Sequence, residues 1–129
     1  MVEAAEQLTL MSIKLLLKIQ GINIKCRESI ICCLDDRVGT ELLKIAETQP
    51  RIPNNGNLDF DSTFKIPYFL EKNQSLQIEF QEADIPDNII GKCTVLMKTL
   101  VNAPNYRFEA VLESETGAQQ SKVVITTIV

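Results

Sequence analysis

The 129-residue chain contains no histidine and no tryptophan, and aromatic residues make up only 5% of it. The absence of histidine removes Ser-His and Cys-His nucleophile systems at a stroke. It also removes the mixed Cys/His zinc site, and none of the four cysteines (Cys26, Cys32, Cys33 and Cys93) stands in C-x-x-C spacing. Only five glycines are present, and they are scattered, so there is no Gly-rich phosphate cradle. No run of several Lys or Arg occurs, and the net charge is −4. A nucleic-acid partner is not expected from such a balance, because binding there needs a basic stripe. Nothing in the sequence builds a pocket for a small-molecule substrate either, so an enzyme is not expected.

What is present is ordinary globular material. Hydrophobic residues are 45% and charged residues 23% of the chain. That supplies one core of Leu, Ile and Val without needing disulfide staples. The length predicts one domain. Cys32 and Cys33 are neighbours, and on a strand they would point to opposite faces and could not easily pair. Free thiols in a reducing compartment are the expected state, with a bridge from Cys32 or Cys33 to Cys93 as the open alternative. The first twenty residues carry two early glutamates and no basic leader region, and Lys14 and Lys18 cut the apolar stretch. They predict neither a signal peptide nor a membrane span. A cytoplasmic protein is expected, with residues 1–11 as a flexible leader and residues 12–129 as the domain.

Alternation is the dominant pattern. Leu15, Leu17 and Ile19 alternate with polar or exposed positions, as do Leu76, Ile78 and Phe80, then Cys93, Val95 and Met97, then Tyr106, Phe108, Ala110 and Leu112. Ile30 to Leu34 reads as a short strand, and Asp35 to Gly39 as the turn after it. Residues 41–48 (ELLKIAET) fit a helical face as well as a strand. Residues 50–57 (PRIPNNGN) form the clearest loop. Phe60, Phe64, Ile66, Tyr68 and Phe69 gather in one segment, where Pro67 marks an edge or a bend. Residues 114–120 (SETGAQQ) read as a hairpin connection, and residues 122–129 close the chain as a strand. About eight short strands with regular turn signals predict an all-β, antiparallel β-sandwich.

Three local patterns follow one another in a fixed order: ESIICCL (residues 28–34), NLDFDSTF (57–64) and QIEFQEADIPDNIIG (77–91). Together they resemble the C2 domain family, whose pattern runs S-D-P-Y-V-x-V, then N-P-x-F-x-x-x-F, then V-x-V-x-D-x-D…D-x-I-G. The likeness covers residues 12–129. The stretch FKIPYFLEKNQSLQIEF is similar to the first C2 domain of copines. Full copines carry a second C2 domain and a von Willebrand A-type domain, so a copine-like chain of this length would be a monomeric relative or a piece of a multidomain protein.

The resemblance implies an eight-stranded Greek-key sandwich that docks to a phospholipid membrane surface or a protein partner in trafficking or signalling. It implies a calcium cup at one end. Glu28 stands where the Asp of S-D-P would be, and Glu82 and Asp84 stand at the D-x-D pair. Asn88 stands at the Asp before I-G, with Asp87 beside it as a substitute. Calcium takes six to eight oxygens at about 2.3–2.6 Å. Here Glu replaces Asp twice, Asn88 removes a charge, the first loop lacks an upstream Asp, and the third loop is tight. The expected calcium affinity is therefore weak, and the expected docking is calcium-independent or only weakly dependent. The rival reading is a structural sandwich that binds protein through an exposed sheet edge or the Phe60–Phe69 region and never meets lipid. A shallow basic face of Lys14, Lys18 and Lys65 is a further candidate surface.

Overall fold

Residues 12–38, 41–69, 73–85, 88–113 and 120–128 are described by a computed structural model. The chain forms β1 (Ser12–Ile22), β2 (Ile30–Val38), β3 (Glu41–Glu47), β4 (Leu58–Phe69), β5 (Gln74–Glu82) and β6 (Ile89–Leu96). A one-turn helix, α1 (Met97–Val101), and a 3-10 turn (Pro104–Tyr106) then lead to β7 (Arg107–Val111) and β8 (Lys122–Ile128). Two four-stranded sheets result, in the orders β4-β1-β8-β7 and β3-β2-β5-β6, with every pairing antiparallel. The expected eight-stranded β-sandwich is the observed fold.

The alternating side chains explain the layering. Successive side chains on a strand face opposite ways, so Leu15, Leu17 and Ile19 of β1 enter the core while Lys14, Leu16 and Lys18 face outward. On the opposing sheet Leu76, Ile78 and Phe80 do the same. Phe60 of β4 meets Phe80 of β5 across the two layers, edge to face, with ring centroids 5.7 Å apart. Each fully buried side chain of this kind contributes about 1.5–3 kcal/mol.

Three local readings change in the structure. Asp35 and Asp36 are not in a turn; β2 runs on through them to Val38. Asp36 is half-buried, and its carboxylate accepts from Gln74 Nε2 at 3.0 and 3.1 Å. Residues 41–47 are strand, held by pairing with β2 from Cys33↔Glu47 to Val38↔Glu41. The alternation through residue 98 ends early: Met97 starts α1, which buries Met97 and Leu100 on one face. Pro67 does sit in an edge strand, since β4 pairs with β1 alone. The leader at residues 1–11 and the connection at residues 114–119 lie outside the described residues.

Gly91 packs closely against Leu112. A Cβ there would stand 2.8 Å from Leu112 Cβ and 3.4 Å from the Glu113 carbonyl oxygen. The backbones of Lys92 and Glu113 exchange two hydrogen bonds, at 2.8 and 3.0 Å, which hold that approach. Gly91 therefore serves packing. The four cysteines are free thiols. Burial raises Cys32 and Cys93, and raises Cys33 to about 11.

Candidate functional site

Three connections have their described residues at one end of the sandwich: 23–29 after β1, 48–57 after β3, and 83–85 with 88 after β5. Strand polarity puts them together, because β1 ends where β4 begins (Gly21↔Leu58) and β2 begins where β5 ends (Ile30↔Glu82). Backbone bonds then bind loop to loop. The Ile24 N–H donates to Gly56 O at 2.9 Å. Ile30 and Arg51 exchange two bonds at 2.8 and 2.9 Å, and the Ala83 N–H donates to Ser29 O at 2.8 Å. Asn55 and Gly56 take positive φ, 53° and 83°, which makes the tight turn that carries the Gly56 carbonyl back to the first loop.

The base of the second loop is fixed by a side chain. Thr48 is buried; its N–H donates to Cys32 O at 2.9 Å, and its Oγ1 accepts from the Cys32 N–H at 2.8 Å. The first loop is held from its other side, where Ser121 Oγ donates to Asn23 O at 2.8 Å.

The family-derived metal positions are placed as follows. Glu28 is exposed on the first loop, next to the Ser29–Ala83 bond that ties that loop to the third. Glu82 is half-buried at the end of β5, and Asn88 Nδ2 donates to its Oε2 at 2.7 Å. Backbone bonds from Glu82 N to Asn88 O (3.1 Å) and from Asn88 N to Ile85 O (2.9 Å) close the same loop. Asp84 is exposed two residues further on. Asp87 lies outside the described residues. Glu82 and Asn88 are thus brought together, with Glu28 and Asp84 at the same end. Among the described residues no three acids or thiols gather closely enough to hold a metal ion. In this arrangement Asn88 offers Glu82 a donor where a cation site needs an oxygen.

The loop end holds residues that sequence reasoning passed over. Lys25 and Arg27 line a groove of about 630 Å³ between the first and second loops, together with Ile52, Pro53 and Asn55. Ile52 is 64% exposed and Ile85 of the third loop 54% exposed. Arg51 is exposed beside Ile52. The signal in the sequence was slight: single cations two residues apart, and an isoleucine between Arg51 and Pro53.

Of the other candidates, Lys14, Lys18 and Lys65 do share the outer face of their sheet, since Leu16 pairs with Lys65, Lys14 with Pro67 and Lys18 with Thr63. Lys18 is engaged in part by Asp59, 3.7 Å away. Asp59 also accepts from the Asp61 N–H (2.9 Å), which is the main reason its carboxyl lies below the usual range; Gln20 and Lys18 add to this. Asp61 has φ 53° at a bulge in β4 and is not in regular alternation. The Phe60–Phe69 region is core: Phe60, Ile66 and Tyr68 are buried.

Neither a protein-family model nor a curated protein sequence matches the chain. Solved structures do. CC2D1B, a protein that coordinates ESCRT-III activity during mitotic reformation of the nuclear envelope, superposes with a TM-score of 0.62 at 15% identity, over 90% of this chain and 54% of that one. The tandem C2 domains of Extended-Synaptotagmin 2 give 0.60 at 16% identity, over 92% of this chain and 40% of theirs. A C2 domain-containing protein from a putative elicitor-responsive gene gives 0.54 at 10% identity, over 89% and 88%. The sandwich is a C2 fold. This chain spans about half the length of the CC2D1B chain, so one C2 unit is what the two share. The three connections described above close one end of that fold. No helix among the described residues is long and apolar enough to cross a membrane.

Proposed function

We propose that this C2 fold is a non-enzymatic docking module, presenting its loop end to a phospholipid membrane surface or a protein partner with calcium contributing weakly. The observation that carries the reading is the binding of three loops to one another, which gathers Glu28, Glu82, Asp84, Ile52 and Ile85 on one end. Rigid, polar loops with exposed apolar tips suit surface attachment. The chemistry of the thiols argues in the same direction. Burial pushes Cys32, Cys33 and Cys93 upward, which keeps them protonated and poorly nucleophilic at neutral pH. The likeness to the first copine C2 domain rests on the stretch FKIPYFLEKNQSLQIEF, whose Tyr68, Leu76, Ile78 and Phe80 pack the core. It supports a shared origin more than a shared ligand.

Calcium, where it binds, would use Glu28, Glu82, Asp84, Asp87 and Asn88, with the Asn88 amide turned to present its oxygen. Calorimetric titration of Ca²⁺ into the domain, beside Glu82→Ala and Asp84→Ala, tests this. Weak or no heat is expected. Micromolar binding lost in both variants would overturn the weak-calcium reading. Cosedimentation with vesicles of phosphatidylcholine and phosphatidylserine, in calcium and in chelator, tests docking, and similar binding in both is expected.

One observation favours the rival reading of a protein-binding sandwich. β3 is an edge strand whose Leu42, Leu43 and Ile45 are all exposed. An edge of this kind accepts an added strand from another chain. A partner lost in a Leu43→Lys variant, with no vesicle binding by the parent, would establish it.

A further inference from the structure

At the loop end, cations predominate on two loops. Lys25, Arg27 and Arg51 lie on the first two loops with one acid, Glu28, while Glu82, at the end of β5, and Asp84 belong to the third. No ion pair joins Lys25, Arg27 or Arg51 to a carboxylate among the described residues. Lys25 and Arg27 both line the groove between the first two loops, two residues apart on a stretch with no regular structure. The Ile24–Gly56 bond fixes that stretch against the second loop. The groove is thus a held pair of cations beside an apolar wall, Ile52 and Pro53.

Three cations against one acid, Glu28, leave the first two loops net positive, and charges within a Debye length of about 8 Å act most strongly on a ligand. Arg27 offers a planar fork that matches a phosphate, and Lys25 adds a point charge. Ile52 tells a lipid from a free phosphate. An isoleucine 64% exposed next to two unpaired cations has no use for a soluble anion, but it can enter the apolar layer beneath a headgroup. The other apolar tip, Ile85, is one residue from Asp84 and three from Glu82, and an anionic surface repels that side.

We propose that the groove between the first and second loops binds the headgroup phosphate of an anionic phospholipid directly, with Lys25 and Arg27 in the place of a metal and Ile52 inserted. This rests on the membrane-docking reading and adds a surface, a lipid class and a tilt: the module leans onto its first two loops and lifts the third away. Such binding needs no calcium and weakens with salt.

The test is cosedimentation with phosphatidylcholine vesicles, with and without phosphatidylserine, in chelator. The proteins are the parent, Lys25→Ala/Arg27→Ala, Ile52→Asp, Ile85→Asp and Lys14→Ala/Lys65→Ala. All altered residues are exposed or line the open groove, and matching circular dichroism and melting curves establish that each variant folds. Each cation near an anionic surface is worth about 1 kcal/mol, so losing two lowers partitioning by about 25-fold. Ile52→Asp is expected to lower it as well, and by more than Ile85→Asp does, whereas Lys14→Ala/Lys65→Ala leaves it unchanged. Parent-like binding by Lys25→Ala/Arg27→Ala overturns the groove. A loss confined to Lys14→Ala/Lys65→Ala moves docking to the sheet face and leaves the docking reading intact. A parent that binds no vesicle overturns the docking reading itself, and the groove with it.

Discussion

Gln74 joins the two sheets through one side chain, and its replacement by leucine should be among the costliest single changes in the protein. The residue opens β5 and is 2% exposed. Its Nε2 donates to Pro67 O at 2.8 Å and to both oxygens of Asp36, while its Oε1 accepts from the Phe69 N–H at 3.0 Å. β4 of one sheet and β2 and β5 of the other therefore meet at a single amide. Leucine keeps the volume and the apolar burial but withdraws every one of these bonds. A neutral hydrogen bond contributes about 1 kcal/mol and one to a charged group about 1.5–3 kcal/mol. Asp36 is only half-buried, so water replaces part of what it loses, and the net cost at neutral pH should be about 3 kcal/mol.

The cost should also depend on pH. Burial raises the Asp36 carboxyl above its ordinary value, and the Gln74 bond draws it back. Without Gln74 its folded-state value climbs further from the unfolded value of about 3.9. A carboxyl raised in the folded state holds a proton there that the unfolded chain has already released. Stability is therefore lost as pH rises from the unfolded value through the folded one. Denaturant unfolding of Gln74→Leu should show its full deficit at about pH 7 and a smaller one at about pH 4.5. In an Asp36→Asn background the pH dependence of the deficit should vanish. A deficit below about 1 kcal/mol, or an equal one at both pH values, would refute the account.

Other outcomes follow from the same contacts. Gly91→Ala should cost about 1–3 kcal/mol in denaturant unfolding, because the Lys92–Glu113 bonds prevent Leu112 from retreating. Thr48→Val strands the buried Cys32 N–H and should cost about 1–3 kcal/mol, while Thr48→Ser should restore most of it. With its thiol raised to about 11, Cys33 is about one part in a thousand thiolate at pH 8. Iodoacetamide labelling read by mass spectrometry should then mark the half-exposed Cys26 well before Cys33, and equal labelling would contradict the burial of Cys33.

The strands were legible wherever alternation met a solvent face. Gln77, Glu79 and Gln81 against Leu76, Ile78 and Phe80 is a pattern that only a half-buried strand explains. Residues 41–47 were not decided by their own sequence, because Leu42, Leu43 and Ile45 are exposed in the structure and pairing with β2 alone selects the strand. Asp35-Asp36 looked like a turn because two acids in a core-facing strand demand a distant partner, and Gln74 stands 38 residues away. Helix α1 was hidden because Met97 continues the inward alternation of Cys93 and Val95. At the loop end the acids were legible through their family spacing. Lys25, Arg27 and Arg51 were not, since nothing local reveals that a Gly56 carbonyl draws two loops together.

The pairing of β1 with β8 has a mechanical consequence. Leu16 lies opposite Ile128 and Ile22 opposite Lys122, so the two strands run antiparallel, with Ser12 and Ile128 leaving the sandwich on the same side. A pull applied through those two residues loads the ladder from one end. Its hydrogen bonds part in sequence, as a zipper opens, and never share the load as they would in shear. The sandwich should therefore yield at low force along this axis, although its resistance to denaturant is set by the whole core. Refolding after such a rupture must bring together segments about a hundred residues apart, which makes it slow to recover the sheet it gives up so readily.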